Sequence, residues 1–218
     1  MRDKLATLAF TLALTAACGF LVAGLDAVFA ERKRVHAEAA RQRVILRLAG
    51  VAGADDWEPA QLGREFAARI ASGSGHGADG REVTYFRLLD PSRRLFVFAF
   101  AGSGFWDVIR GYLAIDADAR RLVGVDFTEH AETPGLGGRI GEAAFKARFA
   151  GRALGDPDGE GRWLQLVSEG TARGGREVDA ITGASETSRA VERLLNRAIA
   201  TALAVAGLAS TTVPGGHP

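Results

Sequence analysis

Residues 5–25 carry no charged side chain, and with residues 27–30 the apolar stretch is interrupted by Asp26 alone. An α-helix rises 1.5 Å per residue, so about 20 such residues reach across the roughly 30 Å hydrocarbon layer of a bilayer. This stretch divides the chain before any other feature does. Residues 1–30 read as a transmembrane anchor, and whatever folds in water must come after them. A secretory signal peptide competes with that reading, because Val28-Phe29-Ala30 resembles a small-residue cleavage site, but its apolar core would run only about 7–15 residues. A lipoprotein signal around Ala16-Ala17-Cys18 fits less well, since the apolar run continues past the cysteine to Leu25. Cys18 is the single cysteine, so there is no intrachain disulfide and no cysteine-held metal or iron–sulfur centre.

The remainder of the 218 residues, in a chain 47% hydrophobic overall, suffices for one domain of ordinary size. A formal charge of +1 with dispersed basic residues provides no field for nucleic acid, and that partner class is set aside. Residues 31–49 are rich in Ala, Arg and Glu and hold no Gly or Pro before Gly50, which predicts a helical connector rising from the membrane. Residues 59–71 predict a second helix with Leu62, Phe66, Ala67 and Ile70 on one face, and the run Ser72-Gly73-Ser74-Gly75-His76-Gly77 reads as a loop tip. From Val83 the pattern turns to strands: 83–89 and 95–101 flank a turn-rich connection, and 108–115 and 122–127 make a second pair. A helix over 139–149, a short strand over 163–167 and a final helix follow. The order predicts an α+β fold, a mainly antiparallel sheet with flanking helices, preceded by one N-terminal transmembrane helix. The ligand-binding domain spans 50–205, and residues 206–218, with Gly215, Gly216 and two prolines, read as a disordered tail.

Three segments are candidates for chemistry. In Asp179-Ala180-Ile181-Thr182-Gly183-Ala184-Ser185-Glu186-Thr187-Ser188, hydroxyls alternate with small residues directly ahead of an amphipathic segment, 189–204, whose Val191, Leu194, Leu195, Ala198, Ile199 and Ala202 share one helical face. Free N–H groups and the positive end of the helix dipole suit a phosphate there, although Ser185 or Thr187 would also serve as an ordinary N-cap. In Glu129-His130-Ala131-Glu132-Thr133-Pro134-Gly135-Leu136-Gly137-Gly138, Pro134 stiffens the loop and the glycines permit close approach of a ligand, while Thr-Pro-Gly is equally good turn chemistry. In Gly102-Ser103-Gly104-Phe105-Trp106 the tryptophan is either a ligand neighbour or a core aromatic. The last glycine of a dinucleotide fingerprint is missing, no Gly-Lys-Ser/Thr phosphate loop occurs, and Gly183-Ala184-Ser185-Glu186-Thr187 lacks the closing glycine of a nucleophile elbow. Glu129, His130 and Glu132 read as a polar cluster rather than a metal site.

The first of these segments resembles the flavinylation motif of the FMN-binding proteins of the Nqr and Rnf membrane complexes, the C component of Nqr and the G component of Rnf, in which the second threonine carries FMN through a phosphoester bond. That position is Thr187. Family members usually have Ser-Gly-Ala-Thr where this chain has Thr182-Gly183-Ala184-Ser185, an exchange of hydroxyl for hydroxyl at both ends. Glu132-Thr133-Pro134-Gly135-Leu136-Gly137 is similar to a second family segment that packs near the flavin, and the Gly-x-Gly-x-Trp run ending at Trp106 to a third. The resemblance implies FMN attached to Thr187 by a separate flavin transferase, with Asp179, Thr182, Gly183, Ala184 and Ser185 around the phosphate. It also implies an electron-carrier subunit, not catalytic alone, that works beside the other membrane subunits of a cation-translocating oxidoreductase. The Gly-x-Gly-x-Trp and Glu-Thr-Pro-Gly-Leu-Gly segments favour the Nqr type and the short length the Rnf type. Alternatives are a flavinylated extracytoplasmic carrier for another reductase and a non-redox anchored binding module. The family implies a single-pass protein of the bacterial inner membrane with its domain on the periplasmic side. Counting bases alone would place that domain inside, since Arg2 and Lys4 face Arg32, Lys33, Arg34, Arg41 and Arg43 across the span.

Overall fold

The computed structural model describes residues 2–118 and 120–207. The expected anchor and connector are one unbroken helix, α1 (Arg2–Leu48). Among the described residues it is the one helix long and apolar enough to cross a membrane. Its apolar residues from Leu5 to Val28 are exposed, and Asp26, the charge that interrupts them, is paired with Lys33 at 2.5 Å. The helix stops where Gly50 adopts φ +79°: the Gly50 N–H reaches the Arg47 carbonyl and the Val51 N–H the Leu46 carbonyl, both at 3.0 Å. This is the paired closure of a glycine-terminated helix, which satisfies carbonyls the last turn leaves open.

Helix α2 (Pro59–Arg69) follows, and then six strands in meander order: β1 (Ile70–His76), β2 (Glu82–Leu88), β3 (Leu95–Ser103), β4 (Val108–Asp116), β5 (Arg121–Glu129) and β6 (Arg152–Ala153). Every neighbouring pair in this sheet is antiparallel. Alternation along β3 sorts the two faces. Phe96, Phe98 and Phe100 join a core with α4 (Ser185–Val205), whereas Leu95 and Val97 join a second core with Ile45, Leu46 and Leu62 from α1 and α2. The sheet is thus a middle layer between the foot of the long helix and the C-terminal helix. A 3-10 turn (Gly137–Gly141), the short α3 (Ala143–Ala147) and a parallel pair, β7 (Gln165–Val167) and β8 (Glu177–Asp179), close the end of the sheet beside α4.

Three expectations from the sequence differ from the structure. Residues 72–76 of the Ser/Gly run are no loop tip but most of edge strand β1, paired residue for residue with β2, and only Gly77 begins the connecting turn. Its glycines are places of close approach: a Cβ on Gly73 would lie 2.6 Å from the Tyr85 ring, and one on Gly75 2.8 Å from Val205. A small-residue strand lets α4 and Tyr85 lie flat against the edge, so the composition that signals flexibility reports packing instead. The helix expected over 139–149 is two short pieces, because Glu142 is extended (φ −72°, ψ 142°) between the 3-10 turn and α3. Ile70, placed on a helical face from its spacing, is the first residue of β1. The tail expected over 206–218 falls, from residue 208 on, outside the described residues.

Asp126 on β5 is buried and joins the layers. It accepts hydrogen bonds from Arg47 in the last turn of α1 and, at 3.0 Å, from Lys146 on α3. Replacing it leaves two cations without their shared anion. Asp126→Asn should therefore destabilise the full chain by about 2–3 kcal/mol in denaturant unfolding, below the ~3–5 of a fully buried pair because Arg47 stays partly solvated.

Candidate functional site

The three segments singled out in the sequence converge at one end of the sheet. Residues 102–106 leave the end of β3, residues 130–138 leave the end of β5, and residues 180–187 run from β8 into α4. Phe105, Trp106, Thr133, Leu136, Gly137, Gly183, Ala184, Ser185, Glu186 and Thr187 line a cleft of about 460 Å³ between them, a size in the ordinary range of small-molecule sites. Its rim is apolar and open to solvent: Phe105 and Trp106 are 54% and 67% exposed and stack edge to face with ring centres 5.0 Å apart. The Trp106 indole N–H donates to Thr133 Oγ1 at 3.0 Å, which ties the first loop to the second.

Thr187 lies at the floor, 3% exposed, and its hydroxyl donates to Glu132 Oε2 at 2.5 Å. Glu132 is 4% exposed, and its other oxygen, Oε1, accepts the N–H groups of Phe105 at 2.8 Å and Trp106 at 3.3 Å. One carboxylate therefore holds all three segments. Gly104 and Gly137 wall it in, since a Cβ on Gly137 would stand 2.4 Å from Thr187 Oγ1 and one on Gly104 2.4 Å from Glu132 Oε1. Pro134 and Gly135 are exposed and do not line the cleft. They form the turn in which the Leu136 N–H reaches the Thr133 carbonyl at 3.1 Å, with Gly135 at φ +75°, and so aim Leu136 and Gly137 inward.

The start of α4 has no side-chain cap at Ala184, and its first backbone bond is Ser188 N–H to Ala184 carbonyl at 2.9 Å. The N–H groups of Ser185, Glu186 and Thr187 precede that bond and are the orphan donors of the helix end. Ser188 points the other way, accepting the Ile181 N–H at 3.3 Å, and is structural. Thr182 and Ser185 are exposed on the segment that approaches α4, but only Ser185 lines the cleft. Asp179 stands apart from the cleft, its Oδ1 accepting the N–H groups of Thr171 and Ala172 at 3.1 and 2.9 Å.

Two residues that sequence reasoning missed fix this approach. Arg148 donates to the Asp179 and Ala180 carbonyls at 2.9 and 2.7 Å and to Glu169 Oε1 at 2.7 Å, and Glu169 Oε2 accepts the Thr182 N–H at 3.1 Å. Hydrogen bonds from Arg148 and Thr182 hold the Glu169 carboxyl down at about 2. Asn196, buried on α4, plays a similar part further along. It accepts the N–H groups of Trp163 and Leu164 and donates to the Leu164 carbonyl. Glu129 pairs with Arg110 instead of joining His130 and Glu132, and among the described residues no three potential metal ligands gather.

Residues 104–200, which hold this aromatic-rimmed cleft and the uncapped start of α4, match the model of the FMN-binding domain family. The C component of the Na(+)-translocating NADH-quinone reductase of Neisseria meningitidis serogroup B is 31% identical over 188 residues, covering 78% of this chain and 70% of that protein. Its counterpart from Pseudomonas aeruginosa is 34% identical over 118 residues, 52% of this chain and 45% of that one. The crystal structure of the same component from Parabacteroides distasonis shares the fold at TM-score 0.67 and 22% identity, covering 80% of this chain and 94% of that chain. The chain belongs to the family of FMN-binding proteins made up of the Nqr C component and the Rnf G component.

Because the Glu169 carboxyl sits below the ordinary value of 4.5, its contribution to stability is present above 4.5 and lost as pH falls toward about 2. Thermal unfolding should therefore show Glu169→Gln less stable than the parent at neutral pH, with the gap closing between pH 4.5 and 2.

Proposed function

We propose that the chain is a membrane-anchored electron-transfer subunit of an Nqr-type oxidoreductase complex and carries FMN bound covalently through its phosphate to Thr187. The observation that carries this reading is the buried Thr187 hydroxyl, at the floor of an aromatic-rimmed cleft and in the uncapped first turn of a 21-residue helix. The residues fit the group. The first-turn N–H groups of α4 and the positive end of its dipole favour a phosphate, with Thr182, Gly183, Ala184 and Ser185 leaving room beside it. Phe105, Trp106 and Leu136 offer apolar faces to a flat ring, and Thr133 fixes the indole. Glu132, expected from the sequence to border the ring together with Pro134, Gly135 and Gly137, serves from beneath through its bond to Thr187, and Asp179 acts at a distance by shaping the turn that precedes the loop.

When bound, a flavin supplies one- and two-electron chemistry, and the protein's part is position, burial and hydrogen bonding. This chain then needs no general acid or base for turnover. Helix α1 would keep the domain beside the other membrane subunits, raising the local concentration of carrier at its donor and acceptor, with the domain on the periplasmic side of a bacterial inner membrane. Attachment would be performed by a flavin transferase.

Expression of the full chain with a flavin transferase, followed by denaturation in SDS, should give a fluorescent protein band that Thr187→Ala abolishes. A dark parent band, or a fluorescent Thr187→Ala band, contradicts the assignment. For topology, a reporter fused after Pro218 should be active outside the cytoplasm only.

A further inference from the structure

Glu132 is more buried than turn chemistry requires. Two N–H groups of a connecting loop can be satisfied by water or by an uncharged side chain, whereas sheltering a carboxylate costs several kcal/mol unless its partners compensate. Here the third partner is a hydroxyl at 2.5 Å, and the contact joins residues 55 apart in sequence, enclosed by glycines at 104 and 137 that admit no Cβ. A hydroxyl nucleophile donating to a base that is itself held by a third group is the arrangement that activates serine and threonine for covalent chemistry. In this protein the third group is the pair of backbone N–H groups at Phe105 and Trp106.

We propose that Glu132 is the general base for the reaction that modifies Thr187, so that the acceptor chain supplies part of the catalysis of its own flavinylation. The proposal rests on the reading of Thr187 as the point of attachment. In the step, Thr187 Oγ1 attacks the phosphorus of the flavin-side phosphate of a flavin dinucleotide presented by the transferase. The Oγ1–H bond breaks and its proton passes to Glu132 Oε2 while the Oγ1–P bond forms. The phosphoanhydride P–O bond breaks, and the nucleoside monophosphate leaves with the electron pair. Nothing is oxidised or reduced. Thr187 lines the cleft and Glu132 does not, which leaves the cleft side of Thr187 for the donor. Ser185, exposed, has no carboxylate partner among the described residues, and the carboxylate beside Thr182, that of Glu169, is engaged by Arg148 and lies with Thr182 outside the cleft lining.

The test uses the full chain in detergent with purified flavin transferase and flavin adenine dinucleotide, following fluorescence of the SDS-denatured band with time. Glu132→Gln preserves shape and can still accept the two N–H groups but takes up no proton. Its maximal attachment rate should fall about 100-fold, within the range of lost general-base catalysis, with the KM for the chain unchanged. Glu132→Asp, which retracts the carboxylate by one methylene, should give an intermediate rate. Thermal unfolding of both variants establishes that they fold. If Glu132→Gln does not, Glu132→Asp decides alone, a slowed rate supporting the proposal and a parental rate overturning it. Attachment to Glu132→Gln within threefold of the parent overturns the base role and leaves Thr187 as the carrier. A parent chain that takes up no flavin overturns both, so the two failures are distinguishable.

Discussion

The candidate site depends on one buried carboxylate. Glu132 accepts from the backbone of the β3–β4 loop with one oxygen and from the first turn of α4 with the other. Three segments separated by dozens of residues thereby share a single anchoring point in a region of low dielectric, where hydrogen bonds to a charged acceptor are strongest. The dependence runs in both directions. Without donors from the β3–β4 loop and the first turn of α4 the carboxylate would be expensive to bury, and without the carboxylate the rim carrying Phe105 and Trp106 would lose its register against Thr187.

The sheet makes that convergence possible by being covered on both faces. Helix α4 fills one face through Val191, Leu195 and Ile199, which brings its N-terminus to the sheet end where the β3 and β5 loops emerge. The foot of α1 and α2 fills the other face, and Asp126 connects the two sides through Arg47 and Lys146. A helix long and apolar enough to cross a membrane thus runs into the domain bearing the site: α1 has no break between its apolar segment and its buried last turns.

Much of the plan was legible before the structure, for identifiable physical reasons. The apolar run, the two hairpins and the amphipathic face of α4 are repeated signals, each resting on many residues, and they survive the loss of any one. The converging loops were legible as separate motifs because glycine, proline and hydroxyl residues are locally diagnostic. What escaped was what depends on contacts remote in sequence. The Gly/Ser strand β1 looked like a loop because its packing surface belongs to Tyr85 and Val205. The contact between Glu132 and Thr187 gives no local signal because the two residues lie 55 apart on different elements. Arg148, Glu169 and Asn196 gave no local signal at all, since an arginine, a glutamate and a helical asparagine are ordinary on a surface and become informative only once the carbonyls and N–H groups they satisfy are adjacent. Asp179 shows the converse: it belongs to the motif by spacing, yet its carboxylate orders a neighbouring turn.

The central claim is that one hydroxyl among four in a short segment is chemically singled out. Trypsin should release residues 177–189 as a single peptide holding Thr182, Ser185, Thr187 and Ser188. Fragmentation mass spectrometry of that peptide from the chain matured with its transferase should put the added mass, that of FMN less one water, on Thr187 alone. The same mass on Thr182, Ser185 or Ser188, or an unmodified peptide, would contradict the account.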